Sequence, residues 1–118
     1  MSNFFVENAE ELQPRENVRI VQVKATPYPD GVRVRVEIHL TPFQERPSLE
    51  ISARQVGGPV VAQMSVIETM IPTLEFTLHL RGEGDPSGAY VLTVDLYYDD
   101  YTNPQHRQET TFQVAQTA

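Results

Sequence analysis

The chain contains no cysteine and no tryptophan. Missing cysteine excludes disulfides, thiolate metal sites and cysteine nucleophiles together. Small secreted domains commonly rely on disulfide staples, so the absence points to the cytoplasm. Positive charge is also scarce: nine basic residues, of which only Lys24 is a lysine, stand against sixteen acids, for a net charge of -7. A phosphate backbone or an anionic membrane surface would be repelled by that balance, which argues against nucleic acid and membrane as partners. No apolar run approaches the roughly 20 residues of a spanning helix. The opening "MSNFFVENAEELQPREN" lacks the basic start and apolar core of a signal peptide.

What is present is period-two alternation. In "VRVRVEIHL", Val32, Val34, Val36, Ile38 and Leu40 point one way, while Arg33, Arg35, Glu37 and His39 point the other. Successive side chains of a strand alternate between faces, so this reads as a half-buried strand. "TLEFTLHLR" repeats the pattern with Leu74, Phe76, Leu78 and Leu80 inward. "AYVLTVDLYY" repeats it with Tyr90, Leu92, Val94, Leu96 and Tyr98 inward. "PVVAQMSVI" is more uniformly apolar. Pro- and Gly-rich connections such as "TPYPDG", "VGGP" and "RGEGDPSG" separate the runs, where a missing N–H removes no ladder bond. Seven strands are predicted, over 18–25, 32–41, 48–56, 59–67, 73–81, 89–98 and 107–114. With no long helical period, one all-β domain over 18–118 is expected, a seven-stranded antiparallel sandwich. Residues 1–17 are expected to form a short arm, loose or briefly helical.

"GDPSGAYVLTV" sets a Pro-Ser-Gly turn directly before Ala89 and Tyr90. This resembles the tyrosine corner of immunoglobulin-like and fibronectin-III-like sandwiches, in which a tyrosine at the start of a late strand bonds back to the preceding corner. The resemblance implies the fold over about residues 18–114 and places the Tyr90 hydroxyl on backbone within Glu83–Ser87. It implies no activity, because such sandwiches host many functions.

Alternating strand direction decides which groups can meet. Residues 82–100 hold Glu83, Asp85, Asp95, Asp99 and Asp100 without a basic residue. Yet ten strand residues span about 30 Å, which separates Glu83 and Asp85 from Asp99 and Asp100. If 32–41 pairs with 73–81, His39 faces about Glu75 and His79 about Arg35, at opposite ends of the pair. These two histidines share no metal.

The loop "YYDDYTNPQHRQ" is left as the candidate site. Tyr97, Asp99, Asp100, Tyr101, Asn103 and His106, with Phe43 from a neighbouring loop, offer aromatic area and polar groups for a partner. The same residues are ordinary turn formers, and the loop is expected to be a surface hairpin not needed for folding. No ligand spacing for a metal occurs, and no nucleophile elbow or nucleotide-binding loop. The expectation is therefore a non-enzyme without metal or cofactor: a protein-binding or assembly module acting through these loops or through an edge strand, the latter including a homodimer. The alternative is a carbohydrate-binding module using the same loop.

Overall fold

The structure, a computed structural model, describes residues 12–116. After a short 3-10 turn at Arg15–Asn17 come seven strands: β1 (Ile20–Pro27), β2 (Arg33–Leu40), β3 (Ser48–Gln55), β4 (Val60–Val66), β5 (Thr73–His79), β6 (Gly88–Tyr97) and β7 (His106–Val114). They form two sheets, ordered β1-β2-β5 and β4-β3-β6-β7, with every pairing antiparallel. The architecture is the expected all-β sandwich. Of the expected N-terminal arm, residues 1–11 lie outside the described residues. Leu12–Asn17 run beside the 41–47 loop, with Gln13 bridged to Phe43.

The core follows from the alternation. Val34, Val36 and Ile38 of β2 meet Leu49, Ile51, Ala53, Leu92, Val94 and Leu96 of the opposite sheet in one buried cluster. Each strand supplies alternate residues to it, and burying them provides the main driving force. Val32, read as inward, is exposed because it precedes the first paired residue of β2. Leu74 and Phe76 of β5, also read as inward, are only half-buried. β5 is the outer strand of the smaller sheet, and little of the opposite sheet lies over it.

The β2–β5 register differs from the sequence expectation by two residues. His39 faces Thr73 and His79 faces Arg33. The Leu40 N–H donates to the Pro72 carbonyl, so pairing starts directly at the end of the β4–β5 connection. Arg35 still reaches Glu75, at 2.9 Å, along the diagonal.

The tyrosine corner is present. Tyr90 is buried and its hydroxyl donates to the Pro86 carbonyl at 2.5 Å. Gln55 closes the same corner by donating to the Asp85 and Ser87 carbonyls. Gly88 has φ of 121°, a conformation that only glycine adopts without strain, and this lets the chain turn into β6.

The two lateral sides of the sandwich differ. β1 packs along β7, closing one side. β4 and β5, the outer strands on the other side, touch over only a short stretch.

Candidate functional site

Hairpin alternation brings the 41–47, 67–72 and 98–105 connections to one rim, joined there by the start of the described chain. The centre of this rim is Arg15. Its guanidinium bonds Glu45 at 2.6 Å and Asp99 at 2.8 Å and lies 4.7 Å over the Tyr98 ring. The Tyr98 hydroxyl donates to the Glu45 carbonyl at 3.0 Å. The two carboxylates, Glu45 before Asp99, raise the Arg15 pKa further. Arg15 in turn holds Glu45 below the usual carboxylate range.

The sequence-predicted residues fall into four groups. Asp99, Asp100 and Asn103 line a cleft of about 260 Å³ together with Arg15, Tyr98 and Gln105. Asp100 is engaged locally: its Oδ1 accepts from the Thr102 hydroxyl at 2.7 Å and the Thr102 N–H at 2.9 Å, which lowers its pKa. Tyr101 stands exposed beyond the cleft, while Tyr97 is buried, its ring edge-on to Tyr101 at 6.5 Å. Phe43 is half-buried against the core beneath the Gln13 bridge.

His106 faces inward, away from the cleft. Its Nδ1 accepts the Ile20 N–H at 2.8 Å and so ties β7 to β1. Gln105 makes a similar tie, donating to the Arg15 and Val18 carbonyls at 2.8 and 2.9 Å. The base of the hairpin is thus tied to β1 and to the segment before it, while its tip from Asp99 to Asn103 stays at the surface. Turn-forming composition described its tip correctly but concealed the two anchors at its base.

The His106 bond carries a pH prediction. Burial, and then the charge of Arg19, lower the His106 pKa below its ordinary 6.5. Only the neutral ring can accept from Ile20. Above 6.5 both folded and unfolded chains hold neutral imidazole, and the contribution to stability is fully present. As pH falls from 6.5 through the lowered folded value, the unfolded chain binds the proton first and stability is lost. Urea midpoints measured from pH 7.5 to 5 should fall, and His106→Gln should flatten that slope. An equal slope in the variant would assign the effect to other groups.

Chemically, the rim fastens loops together. Among the described residues no group of three or more His, Asp or Glu could hold a metal ion. Sequence reasoning missed Arg15 and Glu45. They lie thirty residues apart in separate connections, and only the tertiary topology brings them together.

A second surface lies on the open lateral side. Between β4 and β5 runs a groove of about 450 Å³ with a mixed lining, Val60, Ala62 and Met64 on one side and Thr77, His79 and Arg81 on the other. Met64, Val66, Leu74 and Phe76 are half-buried along this side. Val60, Ile67, Met70 and Ile71 are exposed on β4 and its flanking turns, Met70 by 73%. The sequence signal for this surface is the uncharged stretch from Gln55 to Ile67.

No family model and no curated protein matches the sequence. Solved structures do match the fold. A glycosyl hydrolase family 2 member from Bacteroides cellulosilyticus superposes with a TM-score of 0.60 at 14% identity, over 82% of this chain and 14% of that one. A Bifidobacterium dentium β-glucuronidase gives 0.57 at 14% identity, over 82% and 18%. A Lactobacillus rhamnosus β-glucuronidase gives 0.54 at 18% identity, over 83% and 16%. This chain therefore corresponds to under a fifth of each of those proteins. At such identities the likeness establishes one thing: the chain has the β-sandwich fold found within these larger enzymes.

Proposed function

We propose that this protein is a non-catalytic binding or assembly module that engages another protein surface through the β4 edge and the β4–β5 side. One observation carries the reading. The polar groups of the rim already satisfy one another, with Arg15 held by Glu45 and Asp99, and Asp100 held by Thr102, whereas β4 is an outer strand without charge that exposes Val60 and is followed by exposed Ile67, Met70 and Ile71. Exposed apolar area of that kind, beside unpaired strand backbone, marks interaction surfaces. The similar solved structures support a non-catalytic role, since in each of them the matched sandwich is a small part of a longer chain.

A photo-crosslinking residue placed at Gln63, and separately at Tyr101, tests this reading in cells. Protein adducts are expected at Gln63. Adducts at Tyr101 alone would move the working surface to the rim.

The rim cleft favours a second reading, carbohydrate binding, because Tyr98, Asp99, Asp100 and Asn103 line it together. The similar structures are a glycosyl hydrolase and two β-glucuronidases, which adds a reason to test sugars. Titration of the protein with neutral sugars and with a uronic acid, read by calorimetry, distinguishes the readings. Saturable heat that is lost in Asp100→Ala would support the cleft.

A further inference from the structure

The β4–β5 turn is held by buried polar groups. Ser48 and Thr69 are the two buried polar residues among the described ones, and both fasten this turn. The Ser48 hydroxyl accepts the Glu68 N–H at 2.9 Å. The Thr69 N–H donates to the Pro47 carbonyl at 2.9 Å, and its hydroxyl donates to the Ile71 carbonyl at 2.9 Å. Glu68 sits at a φ of 49°, a left-handed conformation unfavourable for a residue with a Cβ. The turn so fixed holds Ile67, Met70 and Ile71 out to solvent. Apolar side chains pinned outward on a strained turn make a rigid apolar seat.

The start of the described chain leads to that seat. The Leu40 N–H donates to the Pro72 carbonyl, on the β5 side, and the Thr41 N–H to the Arg19 carbonyl, on the β1 side. Next along, the Pro42 carbonyl accepts the Gln13 N–H, and the Gln44 N–H donates to the Gln13 carbonyl. Successive residues of an extended chain turn their bonding groups to opposite sides, so Gln13 lies on the β5 side. Its pairing with Phe43 is parallel. Traced back from Gln13, the chain therefore runs beside Pro42 and Thr41 toward Leu40. At Leu40 that lane is taken by Pro72, with β5 behind it. Buried Val18 and Leu40 fill the inner side. The way on is outward, over Ile71 and Met70.

We infer that Phe4, Phe5 and Val6 seat on Ile67, Met70 and Ile71 of the chain's own β4–β5 turn. Composition selects this occupant. Phe4-Phe5-Val6 is the only run of three apolar residues ahead of Leu12. The other three phenylalanines, Phe43, Phe76 and Phe112, are all at least half-buried in the sandwich. Reach allows it. Phe5 stands seven positions ahead of Leu12, and a chain of that length spans up to about 25 Å. A link this short also gives the segment a high effective concentration at the turn, which another molecule has to exceed. The inference goes beyond the binding-module reading. It gives the rim end of the β4–β5 side to the chain's own segment and leaves Val60–Val66 to a partner.

Carbon-13 labelling of the methionine methyls in the full chain provides the test. The signals are those of Met1, Met64 and Met70, and Met70→Leu assigns the last. The Met70 methyl should show nuclear Overhauser contacts to phenyl protons. Phe4→Ser with Phe5→Ser should remove those contacts and shift the Met70 signal, while the Met64 signal stays in place. Circular dichroism confirms that the double variant is folded. Contacts that survive the double substitution would come from Phe43 or Phe76 and would overturn the inference, as would a Met70 signal that does not move. A Met70 shift that fades on dilution would assign the seat to the segment of a second copy and overturn the intramolecular tie. Adducts at Gln63 report on the β4 edge separately, so failure of this inference and failure of the binding-module reading are distinguishable.

Discussion

Leu92→Ala is expected to destabilise the protein by about 2–5 kcal/mol, the range for deleting a buried leucine side chain. Leu92 is fully buried on β6, which is paired on both sides, to β3 through Ala53 and to β7 through Thr110. It belongs to the cluster that joins the two sheets. Its neighbours are held in two hydrogen-bonded ladders and cannot collapse far into the space left behind, so a cavity term adds to the lost transfer energy. Thr111, on β7 and exposed, is the contrast: Thr111→Ala should change stability by no more than about 0.5 kcal/mol. Urea unfolding reads both from the midpoint, provided the slope is unchanged. Comparable effects in the two variants would mean that the inner and outer faces of the larger sheet are wrongly assigned.

Tyr90→Phe is expected to cost about 1–3 kcal/mol, although it removes a single oxygen. The ring contributes by packing: it is buried and lies parallel to Phe112 at 5.0 Å between centroids. Phenylalanine keeps that stack. What it loses is the 2.5 Å bond to the part-buried Pro86 carbonyl, and an acceptor left there without its donor incurs a desolvation cost. The effect should appear in the urea midpoint, together with faster amide exchange in the Gly82–Gly88 connection. A variant as stable as the parent would mean that water replaces the hydroxyl and that the corner does not hold the fold.

These two residues lie where sequence and structure agree most closely, and the reason is local. The alternation of Val34, Val36 and Ile38, or of Leu92, Val94 and Leu96, assigns faces through the two-residue period of a strand, which is a property of the backbone. The Pro-Ser-Gly turn ahead of Tyr90 likewise needs only the neighbouring residues to define it. Strand count, strand direction and the rim on which each connection falls follow from such local signals.

The candidate site was less legible. Asp99, Asp100, Tyr101 and Asn103 do share a rim, as the alternation of strand direction requires. His106 shares their loop in sequence, but its ring is turned to β1, because the loop chemistry of "TNPQHR" says nothing of a donor 86 residues away at Ile20.

By itself, then, the sequence determined the all-β class, the seven strands, the inward residues from Val34 to Leu40 of β2 and from Tyr90 to Leu96 of β6 and the corner at Tyr90, since each depends on short-range periodicity or turn chemistry. It also removed thiol chemistry through composition alone. Only the tertiary structure decided the two-residue shift between β2 and β5, set by the Leu40–Pro72 bond. It alone decided the gathering of Arg15, Glu45 and Asp99, and the conversion of His106 from a loop residue into a tie between sheets. It also left β4 as an uncharged outer strand with an open side. Each of these is fixed by which sheet and which edge a strand occupies, and that depends on loop closure and packing between segments far apart in the chain.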